Sequence, residues 1–409
     1  MTEAQPGYGL FMLVLGAVVL LAVPLGNALR KANLPALVAF IGLGLALSAG
    51  GDRFAGGITR ELHDQIGLLA QIGLVALLFR VGLESDLGRL VKQLRRAAAI
   101  WIPNMAVAAV LAFALVWAWP GLGPIPALLT AIAASATSVG VSIAPWEEAG
   151  ALDSDDGALL LDVAELDDLS AVVLLAVLFA VAPGLREGGG MIADAVRTGA
   201  MQLLRIAAFS ALCYGFSRLV EPRLSALFAA LDPRAGPFVF AAGTVFLIAA
   251  LADALGFSMA IGAIFAGLAF SRDPSERRID DAFAHVLALF GPFFFLSIGL
   301  SVQFGQFRAA IPLAAALFVV LVAGKLAGAG LAGAAVAGGR TGRLIGASMV
   351  PRAEIFFIVM AHGLSLGAWA VPPELYTAAV LAAVATCVAG PLAVAWLLGG
   401  GRRPAGGGT

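Results

Sequence analysis

The chain has 409 residues, 61% of them hydrophobic and only 12% charged, with 50 glycines and a net charge of −1. A soluble domain carries about 25% charge, so this composition excludes a soluble enzyme or binding module. The absence of a basic arm or polybasic block leaves no basis for a nucleic-acid partner. What remains is an all-α, polytopic membrane protein, with a Gly and Ala excess that suits helices packed closely in lipid.

In chain order, apolar runs of membrane-spanning length predict thirteen spans at 9–29, 35–50, 66–84, 97–119, 124–146, 157–183, 191–218, 236–256, 257–271, 283–301, 311–336, 342–367 and 373–399. The first run has no basic n-region or small-residue cleavage site, so it reads as a span and not a removable signal. With this count, sixteen of the 25 basic residues fall on the side of the C-terminus, five on the other and four inside spans. The positive-inside rule then puts the N-terminus outside and the C-terminus in the cytoplasm. Residues 401–409, a short Gly-rich tail, read as disordered and cytoplasmic. Cys213 and Cys387 both sit in apolar runs, which argues against a disulfide or a metal site.

Two spans carry the marks of interrupted helices. Span five holds Ser135-Ala136-Thr137-Ser138-Val139-Gly140, with Pro145 beyond, a run of small hydroxyl residues that can unwind and offer oxygens to a cation. Span twelve holds Met349-Val350-Pro351-Arg352-Ala353-Glu354, where a mid-span proline removes a backbone bond. Paired breaks in corresponding positions point to an inverted-repeat transporter.

The charges inside the membrane supply the chemistry. Asp167 and Asp168 lie in span six, and Asp168 falls roughly 17 Å from its start, near the midplane. One Asp at a helix centre costs about 3 kcal/mol on insertion scales, so a pair reads as an ion or proton site. Asp162, Glu165 and Asp168 share one helix face, and the preceding acids (Glu147, Glu148, Asp153, Asp155 and Asp156) suggest a cation-attracting cytoplasmic mouth. Lys325, central in span eleven, requires a carboxylate partner, for which Asp167 and Asp168 are the candidates. Arg352 and Glu354, two apart, cannot face each other on a regular helix, so each needs a partner elsewhere or a break that joins them. Arg80 and Glu84, four apart, suit a local pair. No Ser/His, aspartic-protease or metalloenzyme constellation appears, so the chain reads as no enzyme and as needing no cofactor.

Several blocks, in order, resemble one family. They are LFRVGLESDLGRL, ATSVGVSI with EAGAL, LDD in span six, SMAIGAIFAGLAFS, GPFFFLSIGLSVQF, AGKLAGAGLAG and MVPRAEIFFIVM. Together they resemble the second branch of the monovalent cation:proton antiporters, which includes the Nap-type sodium and Kef-type potassium systems. The resemblance covers essentially the whole chain. It implies a homodimer in a bacterial inner membrane, with one antiporter domain over 1–400 whose core includes about 97–183 and 311–367. It also implies crossed discontinuous helices and elevator-like alternating access. By motif, Asp168 would bind the cation and the proton, Asp167 would pair with Lys325 in the proton-loaded state, and Thr137 and Ser138 would lie at the crossing. The Asp-Asp pair resembles the electrogenic type, whereas Asp162, Glu165 and Arg80 depart from the family pattern. The expectation is exchange of Na⁺ or Li⁺ for H⁺. The alternatives are K⁺/H⁺ exchange of the Kef type, an organic-anion symporter using Arg352, and a cation channel, although no filter-like repeat is present.

Overall fold

A computed structural model of the chain describes residues 6–32, 34–50, 60–84, 87–138, 140–164, 166–167, 170, 174, 192–255 and 259–399. Asp168, Glu165 and the tail 401–409 lie outside the described residues. Among the described residues the regular structure is helical, with no strand.

The helices are α1 (Pro6–Arg30), α2 (Ala36–Gly50), α3 (Arg60–Glu84), α4 (Leu87–Ala118), α5 (Pro124–Ser135), α6 (Gly140–Glu148), α7 (155–164), α8 (Ile192–Gly215), α9 (Glu221–Leu231), α10 (Gly236–Ala254), α11 (Met259–Phe270), α12 (Glu276–Leu300), α13 (Phe307–Lys325), α14 (Leu331–Ala337), α15 (Gly339–Ser348), α16 (Glu354–Leu366) and α17 (Pro373–Gly399). Wide π-type turns at Phe216–Val220 and Leu326–Gly330 join α8 to α9 and α13 to α14. Among the described residues eight helical stretches are long and apolar enough to cross a membrane, and Ala36–Ala49, Met259–Phe270 and Glu354–Leu366 are shorter apolar helices. These match eleven of the expected spans. Helix α8 covers the seventh, and most of the sixth lies outside the described residues. The division between spans eight and nine falls between α10, ending at Ala254, and α11, starting at Met259.

Local sequence sets the ends. Prolines occupy the first turn of α5, where a missing N–H costs nothing. Gly338 (φ 97°) separates α14 from α15, and Gly367 (φ 117°) ends α16, both in a backbone region open to glycine.

The chain divides into two compact units. The first comprises Met1–Ala22, Ile58–Leu87 and Val172–Ser297. Here α3 and α11 approach so closely at Gly82 and Gly267 that a Cβ on either would strike the backbone of the other helix. Phe79 stacks on Phe283 at 4.2 Å and meets Phe270 edge-on at 6.0 Å. Arg80, expected to pair within its own helix, makes a two-pronged bond to Asp280 on α12 (2.7 and 3.0 Å), which sequence spacing did not reveal. The Glu84 side chain lies outside the described residues. On the loop side of this unit, Glu221, Ser225 and Asp273 are all buried.

The second unit comprises Val23–Gly57, Gly88–Ala171 and Ile298–Thr409. The end of its helix α13 and the π-type turn after it lie against α4 through Gly324 and Gly328, four residues apart. A Cβ at Gly328 would stand 2.5 Å from the Pro103 carbonyl oxygen and 2.9 Å from Asn104 Cα. Small residues spaced by four let two backbones meet in lipid. A buried cluster of Trp146, Leu160, Val163, Ile345 and Met349 ties α6, α7 and α15 together. Trp146 Nε1 also donates to Ser348 Oγ at 2.9 Å.

Candidate functional site

The two interrupted spans meet in the second unit. Helix α5 stops at Ser135, and Ala136 turns extended (φ −67°, ψ 148°) before α6 starts at Gly140. Helix α15 stops at Ser348, and α16 starts at Glu354 after Pro351-Arg352-Ala353, which belong to no regular element. The two breaks bond to each other. Ser138 N–H donates to the Pro351 carbonyl (3.0 Å), and Ser138 Oγ donates to Glu354 Oε2 (2.6 Å). The expected crossing of discontinuous helices is therefore present, with Ser138 at its centre.

Breaking a helix strands carbonyls at one stub and N–H groups at the next, leaving roughly half a charge of each sign. The side chains present answer these ends. Lys325 Nζ donates to the Ser135 carbonyl at the end of α5 (2.8 Å). Arg352 Nη1 donates to the carbonyls of Met349, Val350 and Pro351 (2.9, 3.1 and 3.1 Å), just past the end of α15. Glu354 stands in the first turn of α16, where an anion is favoured. Arg352 and Glu354 thus find separate partners, one of the two outcomes their spacing allowed. Both cations are 0% exposed.

Helix α17 clamps the second break. Thr386 Oγ1 accepts from Arg352 N–H (3.0 Å), and Cys387 Sγ donates to the Arg352 carbonyl (3.0 Å). A Cβ at Gly390 would stand 2.6 Å from Pro351 Cγ, so only glycine admits the proline ring there.

Asp167, 1% exposed, joins this group. Its Oδ1 accepts from Asn104 Nδ2 at 2.8 Å, and it lies close enough to act electrostatically on both Lys325 and Arg352. Among the described residues the Asp167 carboxyl accepts from Asn104 and the Lys325 ammonium donates to the Ser135 carbonyl. Several buried polar atoms have no partner among the described residues: Asp167 Oδ2, Asn104 Oδ1, Thr137 Oγ1 and Ser142 Oγ, along with Arg352 Nε and Nη2. Buried oxygens are rarely left bare. Such oxygens suit a small hard cation or a proton, which need oxygen donors and no dedicated metal cluster.

Of the sequence-predicted residues, Asp167, Lys325, Thr137, Ser138, Arg352 and Glu354 all fall in the second unit, and bonds connect Ser138 to Glu354 and Lys325 to the break. Asp162 is partly buried on α7, and Asp168 and Glu165 lie outside the described residues. Of the expected acidic mouth, Glu147, Glu148, Asp153 and Asp155 are exposed, while Asp156 accepts from Thr341 Oγ1 (2.7 Å). Asn104 was missed. The signal for it was a lone amide in an apolar span, directly after Pro103. The Ser135 carbonyl was missed because only the structure shows which backbone oxygen the break releases.

Residues 17–400 match the family model described as "Sodium/hydrogen exchanger, transmembrane". The chain is 24% identical over 321 residues to the high-affinity Na⁺/H⁺ antiporter NhaS3 of Synechocystis sp., covering 75% of this chain and 66% of that one. It is 26% identical over 357 residues to an Na⁺/H⁺ antiporter of Enterococcus hirae, covering 84% of this chain and 88% of that one. In fold it is similar to the sodium proton antiporter MjNhaP1 of Methanocaldococcus jannaschii, with a TM-score of 0.69 at 12% identity, over 96% of this chain and 99% of that one. By the match across nearly its full length, and with the crossed helix breaks already described, this chain belongs to the transmembrane sodium/hydrogen exchanger family.

Proposed function

We propose that the chain is a secondary-active antiporter that exchanges Na⁺ for H⁺ by alternating access. The observation that carries this reading is the crossing of two helix breaks, with buried cations answering their carbonyl ends and bare carboxylate and hydroxyl oxygens beside them. The names of the relatives from Synechocystis and Enterococcus agree with it.

Asp168 is assigned by motif as the carboxyl that takes a proton on one side of the membrane and a cation on the other. Asp167, Thr137, Ser138 and freed backbone carbonyls complete the cation's oxygen shell, and no cofactor takes part. An unpaired carboxylate should not traverse the apolar barrier, so only loaded carriers cross and exchange is obligatory. Lys325 and Arg352 hold the broken ends while the load changes, and Asp162 and Glu165 line the approach from the cytoplasm. With both Asp167 and Asp168 releasing protons, two protons move per cation and transport is electrogenic. The working form is a homodimer in a bacterial inner membrane, with core residues of about 97–183 and 311–367 and the C-terminus in the cytoplasm.

Kef-type K⁺/H⁺ exchange gains no support from the relatives reported above. Organic-anion symport requires a site that favours an anion, whereas the bare buried oxygens of Asp167, Asn104, Thr137 and Ser142 favour a cation or a proton. The test is the cation-induced pH change in proteoliposomes, run with Na⁺, Li⁺ and K⁺. Exchange should appear with Na⁺ or Li⁺ and vanish in Asp168→Asn. Full exchange by that variant, or exchange driven by K⁺ alone, would overturn the assignment.

A further inference from the structure

The Asp167 carboxyl is held by a residue that none of the motifs assigns. Asn104 is 0% exposed on α4, and its Nδ2 donates to Asp167 Oδ1 at 2.8 Å. An ionised carboxylate only accepts, so the amide end facing it must be the NH₂. Each side chain has an oxygen left over: Asn104 Oδ1 and Asp167 Oδ2 are both buried without a partner among the described residues. Meanwhile the ammonium expected beside Asp167 spends a hydrogen bond on the Ser135 carbonyl.

The backbone around Asn104 is fixed tightly. Pro103 precedes it, and Gly328, in the π-type turn after α13, packs directly on the Pro103 carbonyl and Asn104 Cα. The side chain therefore projects from a point that cannot drift relative to Lys325, three residues before Gly328.

An amide differs from an ammonium in what it can partner. Lys325 can bond only an oxygen acceptor and gains its full Coulomb energy only from an ionised carboxyl. Asn104 has both a donor and an acceptor on one planar group. Its NH₂ can donate to Asp167 Oδ1 in the ionised carboxyl and equally to the carbonyl oxygen of the protonated one, whose proton then sits on Oδ2. The same partner then serves both loads without a helix moving.

We propose that Asn104 is a positioning residue for exchange, holding Asp167 by one oxygen through both protonation states so that the other oxygen stays open to the cation or proton. This rests on the antiporter reading above. Asn104 acts through Asp167, and Lys325 is released to hold the end of α5 while it does so.

The test uses the full chain in proteoliposomes, with Asn104→Leu (similar size, no donor or acceptor) and Asn104→Ser (a smaller donor and acceptor), each alone and with Asp167→Asn. Asn104→Leu should raise KM for Na⁺ by about tenfold or more, the range for losing a hydrogen bond to a charged group, with a smaller change in kcat. Asn104→Ser should fall between Leu and the unaltered protein. In the Asp167→Asn background, Asn104→Leu should raise KM by less than about twofold, because coupled residues are not additive. An unchanged KM in Asn104→Leu, or the same fold-rise with and without Asp167→Asn, overturns the proposal. If Asn104→Leu does not fold, Asn104→Ser carries the same comparison in both backgrounds. Loss of exchange in the unaltered protein would remove the antiporter reading and this inference with it. Exchange intact with silent Asn104 variants would remove this inference alone.

Discussion

Gly328→Ala places one methyl group where α13 meets α4. The added Cβ would stand 2.5 Å from the Pro103 carbonyl oxygen, 2.9 Å from Asn104 Cα and 3.1 Å from the Pro103 carbonyl carbon, all backbone atoms that cannot rotate away. Restoring a 3.4 Å contact with the oxygen requires the helices to part by about 0.9 Å. Overpacking of this kind costs about 1–3 kcal/mol. The separation acts on both sides of the site, since Asn104 holds Asp167 at 2.8 Å and Lys325 holds the Ser135 carbonyl at 2.8 Å. Misplacing reacting groups by 1 Å costs on the order of 100-fold in rate. Gly328→Ala should therefore unfold at a lower temperature in detergent and lose at least roughly tenfold of its Na⁺-driven proton flux. Gly243→Ala on α10 is the control, because a Cβ there meets nothing within 4 Å. It should be neutral or slightly stabilising, as alanine favours helix over glycine by about 1 kcal/mol. Gly328→Ala with unaltered unfolding temperature and flux would refute the claim that close approach of α4 and α13 sets the site.

Arg352→Met should cost at least about 2 kcal/mol of stability and abolish exchange, because three carbonyls lose their donor; thermal unfolding and flux together read this, and a stable, active variant would count against it. Ser138→Ala removes the 2.6 Å bond to Glu354 and should cut flux more than stability, whereas Glu354→Gln, which keeps an acceptor, should be the milder change at the same contact. Outside the membrane spans, burial pushes the Glu221 carboxyl up to about 8 from 4.5, with the neighbouring Asp273 adding to the rise. The folded chain then keeps a proton that the unfolded chain has lost, so stability falls as pH rises from about 4.5 to about 8, at up to about 1.4 kcal/mol per pH unit. In Glu221→Gln that slope should disappear, and the gap in unfolding temperature between variant and wild type should widen from pH 6 to pH 8; a constant gap would show that Glu221 does not titrate in that window. For Asp273, burial works upward, but bonds from Glu221, Ser225 and Ser275 outweigh it and hold the carboxyl low. Arg80→Ala and Asp280→Asn should each destabilise, and the double variant should cost less than their sum because the two-pronged bond is shared.

Most of the fold was legible in the chain because membrane insertion leaves few options. With no water to satisfy backbone groups, each apolar run must become a helix. The breaks were legible too: Pro351 cannot donate, and Ser135 to Gly140 lacks the bulky apolar side chains that keep a helix closed to lipid. Lys325, Asp167, Arg352 and Glu354 stood out because charge inside a bilayer is costly.

Tertiary structure decided the partners. Arg80 bonds to a residue 200 positions away, a contact that no local spacing announces. Lys325 donates to a backbone oxygen, which no side-chain pattern marks. Asn104 meets Asp167, 63 positions along the chain, on the same helix that Gly324 and Gly328 approach from another side, and neutral amides raise no electrostatic alarm in a sequence. Composition and charge state what each residue costs in lipid. Which groups relieve that cost depends on distances between helices far apart in the chain, and those distances are set by packing.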